Sequence, residues 1–113
     1  MGLPGSPDFD VDIHKAKEMI ENGEVDVVDV RTQFHAPAMP GADYVPLDEI
    51  LARPAEVIPS GKPLLFICNV GQTSAVATQM ARALNVTEAY NMAGGMTEWA
   101  EAGYDTEEPP AGH

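Results

Sequence analysis

The chain has one cysteine, Cys68, among its 113 residues, and this scarcity limits the chemistry that it can carry. An internal disulfide is excluded, so a reducing, cytoplasmic setting is the natural expectation. No cluster of His, Asp and Glu stands at metal-ligand spacing beside the cysteine, and we therefore expect neither a metal site nor a bound cofactor. Any thiol chemistry must use Cys68.

Basic side chains are also few. Six Lys and Arg stand against 18 Asp and Glu, which gives a formal net charge of −12. Such a charge repels nucleic acid and anionic membrane surfaces. Long hydrophobic runs are missing as well, because no apolar stretch approaches the roughly 18 residues that a membrane-spanning helix needs. We expect a soluble protein without nucleic-acid or membrane partners.

Strand and helix signals alternate along the chain. The strand candidates are Phe9–Val11, Val25–Val30, Tyr44–Leu47, Pro63–Ile67 and Val86–Asn91. This alternation predicts an α/β domain with a mostly parallel central sheet and helices on both faces. The continuously apolar run Pro63–Ile67 is expected at the centre of that sheet. We expect a flexible N-terminus over residues 1–7, one domain over residues 8–105 and an acidic, polar tail over residues 106–113.

Capping residues and apolar spacing predict the helices between these strands. Asp12 and Asp48 are candidate N-caps, and Pro54 should interrupt the helix that follows Asp48. A third helix should begin at Thr73 or Ser74, with an apolar face formed by Val76, Met80, Ala83 and Leu84. Gly94 and Gly95 should open the last helix, which carries Trp99 and ends at Gly103.

Cys68 ends the most apolar strand and precedes a short loop and a helix. A lone cysteine in such a place is by default a small buried hydrophobe. Asn69 to Gln72, however, show neither a helical nor a strand pattern, and Gly71 permits a turn that aims backbone N–H groups inward. The start of the next helix adds unpaired N–H groups and a positive dipole end. Together these features favour a thiolate and any anionic sulfur bound to it.

Four short motifs, in order over about residues 9 to 105, resemble the single-domain rhodanese family. They are Val28-Asp29-Val30-Arg31, Pro40-Gly41-Ala42, Cys68-Asn69-Val70-Gly71-Gln72-Thr73-Ser74, and Gly94-Gly95-Met96-Thr97-Glu98-Trp99 with Gly103. The resemblance implies a sulfurtransferase in which Cys68 accepts a sulfane sulfur as a persulfide and passes it to a thiophilic acceptor.

The resemblance also implies which groups bind the substrates. The backbone amides of the loop, contributed by Asn69, Val70, Gly71, Gln72, Thr73 and Ser74, would hold the anionic sulfur. The implied donor is thiosulfate or a protein persulfide, and the implied acceptor is a thiol or cyanide.

Loop length separates this pattern from the related dual-specificity phosphatases. Cys68 to Thr73 is the six-residue span typical of sulfur transferases, whereas the phosphatase loop is longer and ends in an arginine. A phosphate needs more room and a guanidinium that binds two of its oxygens. Ser74 stands where that arginine would be expected, so phosphatase activity is disfavoured.

Two departures from the family pattern bear on activity. The loop carries no basic residue, and Pro37 to Ala42 lack the histidine that usually precedes Pro-Gly-Ala in this family. Attraction for a dianion such as thiosulfate should therefore be weak. The alternative hypothesis is a non-catalytic rhodanese-like interaction module, whose acidic surface would bind a basic protein partner.

Other polar and aromatic residues receive structural interpretations. Asp29 and Arg31 are expected mainly to brace the loops at the rim of the sheet, because such rim charges are commonly ion-paired. His35 is expected to be an exposed loop residue and not a base. Trp99, Met92 and Met96 are expected in the core instead of a pocket wall, and His14 on the surface.

Overall fold

The computed structural model describes residues 9–32, 37–58, 62–86 and 88–108. Within these ranges the strands are β1 Asp10–Val11, β2 Asp26–Asp29, β3 Asp43–Tyr44, β4 Leu64–Ile67 and β5 Ala89–Met92. The helices are α1 Ile13–Glu21, α2 Leu47–Ala52, α3 Pro54–Val57, α4 Gln72–Ala83 and α5 Gly95–Glu101.

The strands form one five-stranded sheet in the order β1-β5-β4-β2-β3. Every neighbouring pair in that order is parallel. Strand β4 is central, and all four of its residues are buried. The predicted parallel α/β architecture and the central position of the apolar run are thus confirmed.

Alternate residues of β4 divide the core into two layers. Leu65 and Ile67 pack with the buried faces of α1 and α5. Leu64 and Phe66 point to the opposite face and pack with residues of α2 and α4. Because successive strand residues point to opposite faces, a strand buried on both sides needs apolar residues at every position. Helices therefore cover both faces of the sheet, as expected.

Helix α4 differs from its prediction in both start and buried face. It begins at Gln72, with Gly71 as the N-cap residue. Its buried residues are Ser74, Ala75, Ala77, Thr78 and Ala81, whereas none of the four predicted apolar-face residues is buried and Leu84 is 41% exposed. The prediction assumed that the largest apolar side chains would face the sheet. In the structure the small residues face it, because they allow the helix backbone to approach the sheet closely.

The region between β3 and α3 also differs from the prediction. Strand β3 ends at Tyr44, and α2 begins at Leu47 with Pro46 as its N-cap. Asp48 lies in the first turn of α2 and makes no cap hydrogen bond. The expected break at Pro54 is confirmed, because a new short helix begins there. Asp12 does cap α1, since its carboxylate accepts from the backbone N–H of Lys15 over 2.7 Å.

None of the helices in the described ranges combines the length and apolarity that crossing a membrane requires.

Candidate active site

The carboxyl end of the central strand β4 places Cys68 at the rim of the sheet. Ligands of parallel α/β sheets bind beyond these strand ends. Cys68 is 2% exposed, and its neighbours form the wall of a cleft of about 330 Å³. The cleft is lined by Arg31, Thr32, Cys68, Asn69, Val70, Gln72 and Thr73.

Two backbone amides point at the sulfur of Cys68. The N–H of Gly71 donates to Sγ over 3.1 Å, and the N–H of Ser74 donates over 3.3 Å. The hydroxyl of Ser74 lies 3.2 Å from the same sulfur. Since these amides sit at the N-terminus of α4, the positive end of the helix dipole adds to their effect. The arrangement stabilises negative charge on Sγ.

The loop can direct its N–H groups at Sγ because residue 71 is a glycine. Its φ of +92° lies in the left-handed region, which a residue with a Cβ adopts only at a cost. A Cβ at this position would also lie 3.2 Å from the backbone nitrogen of Gly94. Glycine therefore satisfies both the turn and the close approach of the loop after β5.

The turn at Gly94-Gly95 and the first turn of α5 hydrogen-bond to the backbone of Cys68 and Asn69. The N–H of Met96 donates to the carbonyl of Cys68 over 2.8 Å, and the N–H of Thr97 donates to the carbonyl of Asn69 over 3.0 Å. A Cβ on Gly95 would lie 2.3 Å from that Asn69 oxygen. The first turn of α5 thus fixes the backbone on which Cys68 stands.

Asn91, on β5, belongs to the site although the sequence reasoning did not select it. Its Oδ1 accepts a hydrogen bond from the Ser74 hydroxyl. Its Nδ2 donates to the carbonyl of Gly71 over 3.1 Å and to Oδ1 of Asp10 over 2.9 Å. The sequence carries no local signal for this role, because Asn91 reaches the site only through the pairing of β5 with β4 and β1.

Arg31 and Asp29 form a buried ion pair beside the cleft. Nη2 of Arg31 lies 2.7 Å from Oδ2 of Asp29, and the two side chains are 2% and 0% exposed. Nη1 of Arg31 also donates to the carbonyl of Pro37 over 3.1 Å and to Oδ1 of Asn69 over 3.3 Å. The expected bracing role is supported by these contacts.

The chain matches the rhodanese-like domain family over residues 12–102. It therefore belongs to that family. Among curated proteins it is similar to human thiosulfate:glutathione sulfurtransferase, with 32% identity over 88% of this chain and 97% of the relative. The structure of a human single-domain sulfurtransferase has 31% identity and a TM-score of 0.68, over 86% of this chain and 97% of that one.

An archaeal structure matches the fold alone. The rhodanese-related protein of Thermoplasma volcanium has a TM-score of 0.77 with 23% identity, over 88% of this chain and 97% of that chain. The fold class and the family inferred from the sequence motifs are both confirmed by these comparisons.

In this rhodanese-like domain the predicted loop residues surround one cysteine but differ in exposure. Cys68, Gly71 and Ser74 are buried, Thr73 is half-buried, and Asn69, Val70 and Gln72 are exposed. The buried members therefore contact Sγ, and the exposed members border the opening of the cleft.

The remaining predictions of core and surface positions in this rhodanese-like domain are confirmed wherever the structure describes the residue. Met92, Met96 and Trp99 are 0%, 1% and 4% exposed, so the core interpretation is confirmed. His14 is exposed and contacts the hydroxyl of Tyr104. His35 lies outside the described residues.

Proposed function

We propose that this protein is a sulfurtransferase that carries sulfane sulfur as a persulfide on Cys68. The observation that carries the proposal is the pair of backbone N–H groups, from Gly71 and Ser74, directed at Sγ. Such donors stabilise the thiolate, which is the reactive form of a cysteine. A structural cysteine buried among apolar groups has no need of them.

Loading would proceed by attack of the Cys68 thiolate on the outer sulfur of thiosulfate. A new S–S bond forms, the bond between the two thiosulfate sulfurs breaks, and sulfite leaves with the electron pair. The enzyme then carries a persulfide anion. Its terminal sulfur would lie in the cleft, near the backbone amides of the loop from Asn69 to Ser74, which favour a negative charge.

Unloading would break the S–S bond between Sγ of Cys68 and the terminal sulfur. An acceptor thiolate attacks the terminal sulfur, the acceptor gains a persulfide, and the thiolate of Cys68 is regenerated as the leaving group. The two loop amides that stabilise the free thiolate also stabilise this leaving group. No dedicated general base is needed, because both the attacking and the leaving groups are thiolates.

The charge of the site favours weakly charged or protein-bound donors over thiosulfate. The loop has no basic residue, and the positive charge of Arg31 is matched by Asp29. We propose slow turnover with thiosulfate and faster loading from a persulfidated protein. The human relative named for thiosulfate and glutathione supports a low-molecular-weight thiol as acceptor. Such thiols are abundant in the reducing, cytoplasmic setting proposed for this chain.

Mass spectrometry of the intact protein tests the proposal directly. Incubation with excess thiosulfate, and separately with a persulfide donor, should add one sulfur atom to the chain, and cyanide should remove it as thiocyanate. The matched control is Cys68→Ser, which should gain nothing. Full sulfur transfer by the Cys68→Ser variant, or no mass gain in the parent protein with either donor, would refute the assignment.

The rival hypothesis is a non-catalytic interaction module that binds a basic protein. The low exposure of Cys68, 2%, and the formal charge of −12 favour it. The rate of alkylation by iodoacetamide separates the two, because a thiolate held by amide donors reacts faster than an inert buried thiol. Alkylation slower than that of a free cysteine peptide at the same pH would support the module.

A further inference from the structure

A buried hydrogen-bond chain leads from the sulfur of Cys68 to the edge of the sheet. Ser74 Oγ lies 3.2 Å from Sγ and also contacts Oδ1 of Asn91. Asn91 Nδ2 continues the chain to Gly71 and Asp10. Ser74 is 0% exposed and Asn91 is 1% exposed, so solvent does not supply alternative partners.

The acceptors around Asn91 determine which way its amide faces. A backbone carbonyl such as that of Gly71, and an ionised carboxylate such as that of Asp10, accept hydrogen bonds and have no proton to donate. The nitrogen of the Asn91 amide must therefore face both of them, at 3.1 Å and 2.9 Å. Its oxygen consequently faces Ser74, and a flipped amide would place oxygen against two acceptor oxygens.

This orientation assigns the proton of the Ser74 hydroxyl. A serine hydroxyl has one proton to donate, and the oxygen of Asn91 takes it. Lone pairs of Ser74 Oγ then face Cys68. They can accept a hydrogen bond from the S–H of the thiol, but they offer no proton to the thiolate. For Ser74 to stabilise the thiolate, its hydroxyl must rotate toward Sγ and give up the bond to Asn91.

We propose that Asn91 is a positioning residue that restrains the reactivity of Cys68 by holding the hydroxyl proton of Ser74. The inference rests on the proposed function, since it assigns Asn91 to the control of the same nucleophile. It divides the donors around Sγ into two classes. The amides of Gly71 and Ser74 stabilise the thiolate in either arrangement, whereas the hydroxyl does so only when released.

Charged groups on two other strands belong to the surroundings of the site, one beside the cleft and one at the far end of the hydrogen-bond chain. Asp29 and Arg31 stand at the carboxyl end of β2, and Asp10 stands on β1 behind Asn91. The ion pair is not altered in the variants below. A change in the charge of Asp10 would act on Cys68 whether or not residue 74 has a hydroxyl.

A double-mutant cycle tests the inference. The Asn91→Leu substitution keeps the approximate shape of the side chain and removes its acceptor, together with the donor to Gly71 and Asp10. The loss of the donor is common to both backgrounds of the cycle, whereas the loss of the acceptor acts only through the hydroxyl of Ser74. We expect it to raise the alkylation rate of Cys68 about fivefold near neutral pH, the equivalent of one ordinary hydrogen bond of about 1 kcal/mol. The pH profile of alkylation should shift toward lower pH. In a Ser74→Ala background the same substitution should produce neither the rise in rate nor the shift of the profile toward lower pH.

Each outcome of the cycle decides the question. An equal rise in both backgrounds, no rise, or a slower reaction would overturn the role of Asn91. If circular dichroism shows that the Asn91→Leu protein is unfolded, Asp10→Ala at the half-buried edge strand replaces it. That change removes one of the two acceptors that orient the Asn91 amide, so the amide holds the proton of Ser74 less firmly. The alkylation rate should rise by less than in Asn91→Leu, and it should rise more in the parent background than in the Ser74→Ala background. Alkylation needs no sulfur donor, so this result is independent of whether persulfide forms.

Discussion

Nη1 of Arg31 donates to Oδ1 of Asn69 over 3.3 Å, although 38 positions separate the two residues in sequence. The bond joins the carboxyl end of β2 to the loop that follows Cys68. Because the guanidinium is already paired with Asp29, its charge is largely matched at short range. The contact therefore orients the loop more than it attracts an anionic substrate.

The buried ion pair makes Asp29→Asn a strongly destabilising change. It leaves the guanidinium of Arg31 buried without its counter-charge, and breaking a buried pair in this way costs about 3 to 5 kcal/mol. Urea unfolding should show a loss of that size. The matched control is Glu56→Gln, which breaks the exposed pair with Arg53 and should cost about 0.5 kcal/mol or less. Equal losses in the two variants would contradict the structural role of Asp29.

The backbone of Gly71 gives a prediction that separates loop geometry from stability. Gly71→Ala forces a side chain into a φ of +92°, which costs about 1 to 2 kcal/mol. It also crowds the nitrogen of Gly94 at 3.2 Å, so the N–H of residue 71 should move away from Sγ. We expect slower alkylation of Cys68 and slower sulfur loading.

Gly23→Ala is the control for that change. Its φ is +69°, yet a Cβ there would meet nothing within 4 Å. It should lose a similar amount of unfolding free energy while the alkylation rate of Cys68 stays at the parent value. Unchanged alkylation in Gly71→Ala would show that the amide of residue 71 does not act on the sulfur.

Ionisation of Tyr44 should lower the free energy of unfolding at alkaline pH. Burial raises the pKa of Tyr44 above its ordinary value, and the carboxylate of Asp29 raises it further. Its hydroxyl donates to the carbonyl of Thr32 over 2.7 Å, a bond that ionisation removes. A raised folded pKa contributes stability that is present below the unfolded pKa of about 10 and is lost as the pH rises through the folded value.

Tyr44→Phe isolates this contribution. Above about pH 10, the free energy of unfolding of the parent should fall more steeply with pH than that of the variant. Urea unfolding at several alkaline pH values measures the slopes. The ultraviolet difference spectrum between the two proteins should show one tyrosinate that appears late in the titration. Parallel slopes would contradict the assignment.

The sequence predicted the parts of the molecule whose signals are local. The continuous apolar run of Leu64 to Ile67 has one good solution, a central parallel strand. Asp12 before an amphipathic helix, and Gly94 before the last helix, follow ordinary rules for helix ends. The cysteine loop carries its own motif, which is why the family could be recognised before the fold.

The missed features depend on contacts between distant segments. Asn91 reaches Ser74 and Asp10 only when β5 lies between β1 and β4, and no local pattern encodes that register. The buried face of α4 was predicted wrongly because it consists of small residues such as Ala77 and Ala81, which are buried by the close approach of the helix to the sheet. Their side chains are too small to stand out as an apolar face in the sequence. Pro46, and not Asp48, is the N-cap of α2, which begins at Leu47, since the fixed φ of proline already suits that position.

Position 73 offers a test of why the neutral loop should disfavour thiosulfate. Thr73 lines the cleft with Cys68 and is half-buried, so Thr73→Arg would bring a cation to its opening. At the solvent-filled opening of the cleft, where the dielectric approaches that of bulk water, a charge about 6 Å from a dianion is worth on the order of 1 to 2 kcal/mol. We expect kcat/KM for thiosulfate to rise about tenfold, mainly through KM. Steady-state assay of thiocyanate formation measures it.

The neutral variant Thr73→Gln controls for the length of the side chain at that position. It should leave kcat/KM for thiosulfate near the parent value, because it adds a donor but no charge. The gain in Thr73→Arg should shrink as salt is raised, since exposed charges are screened within about 10 Å at 0.1 M ionic strength. A gain that is equal in the two variants, or that persists in high salt, would mean that charge does not limit thiosulfate use. Substrate preference would then follow from the shape of the cleft, and the low exposure of Cys68 would become its main determinant.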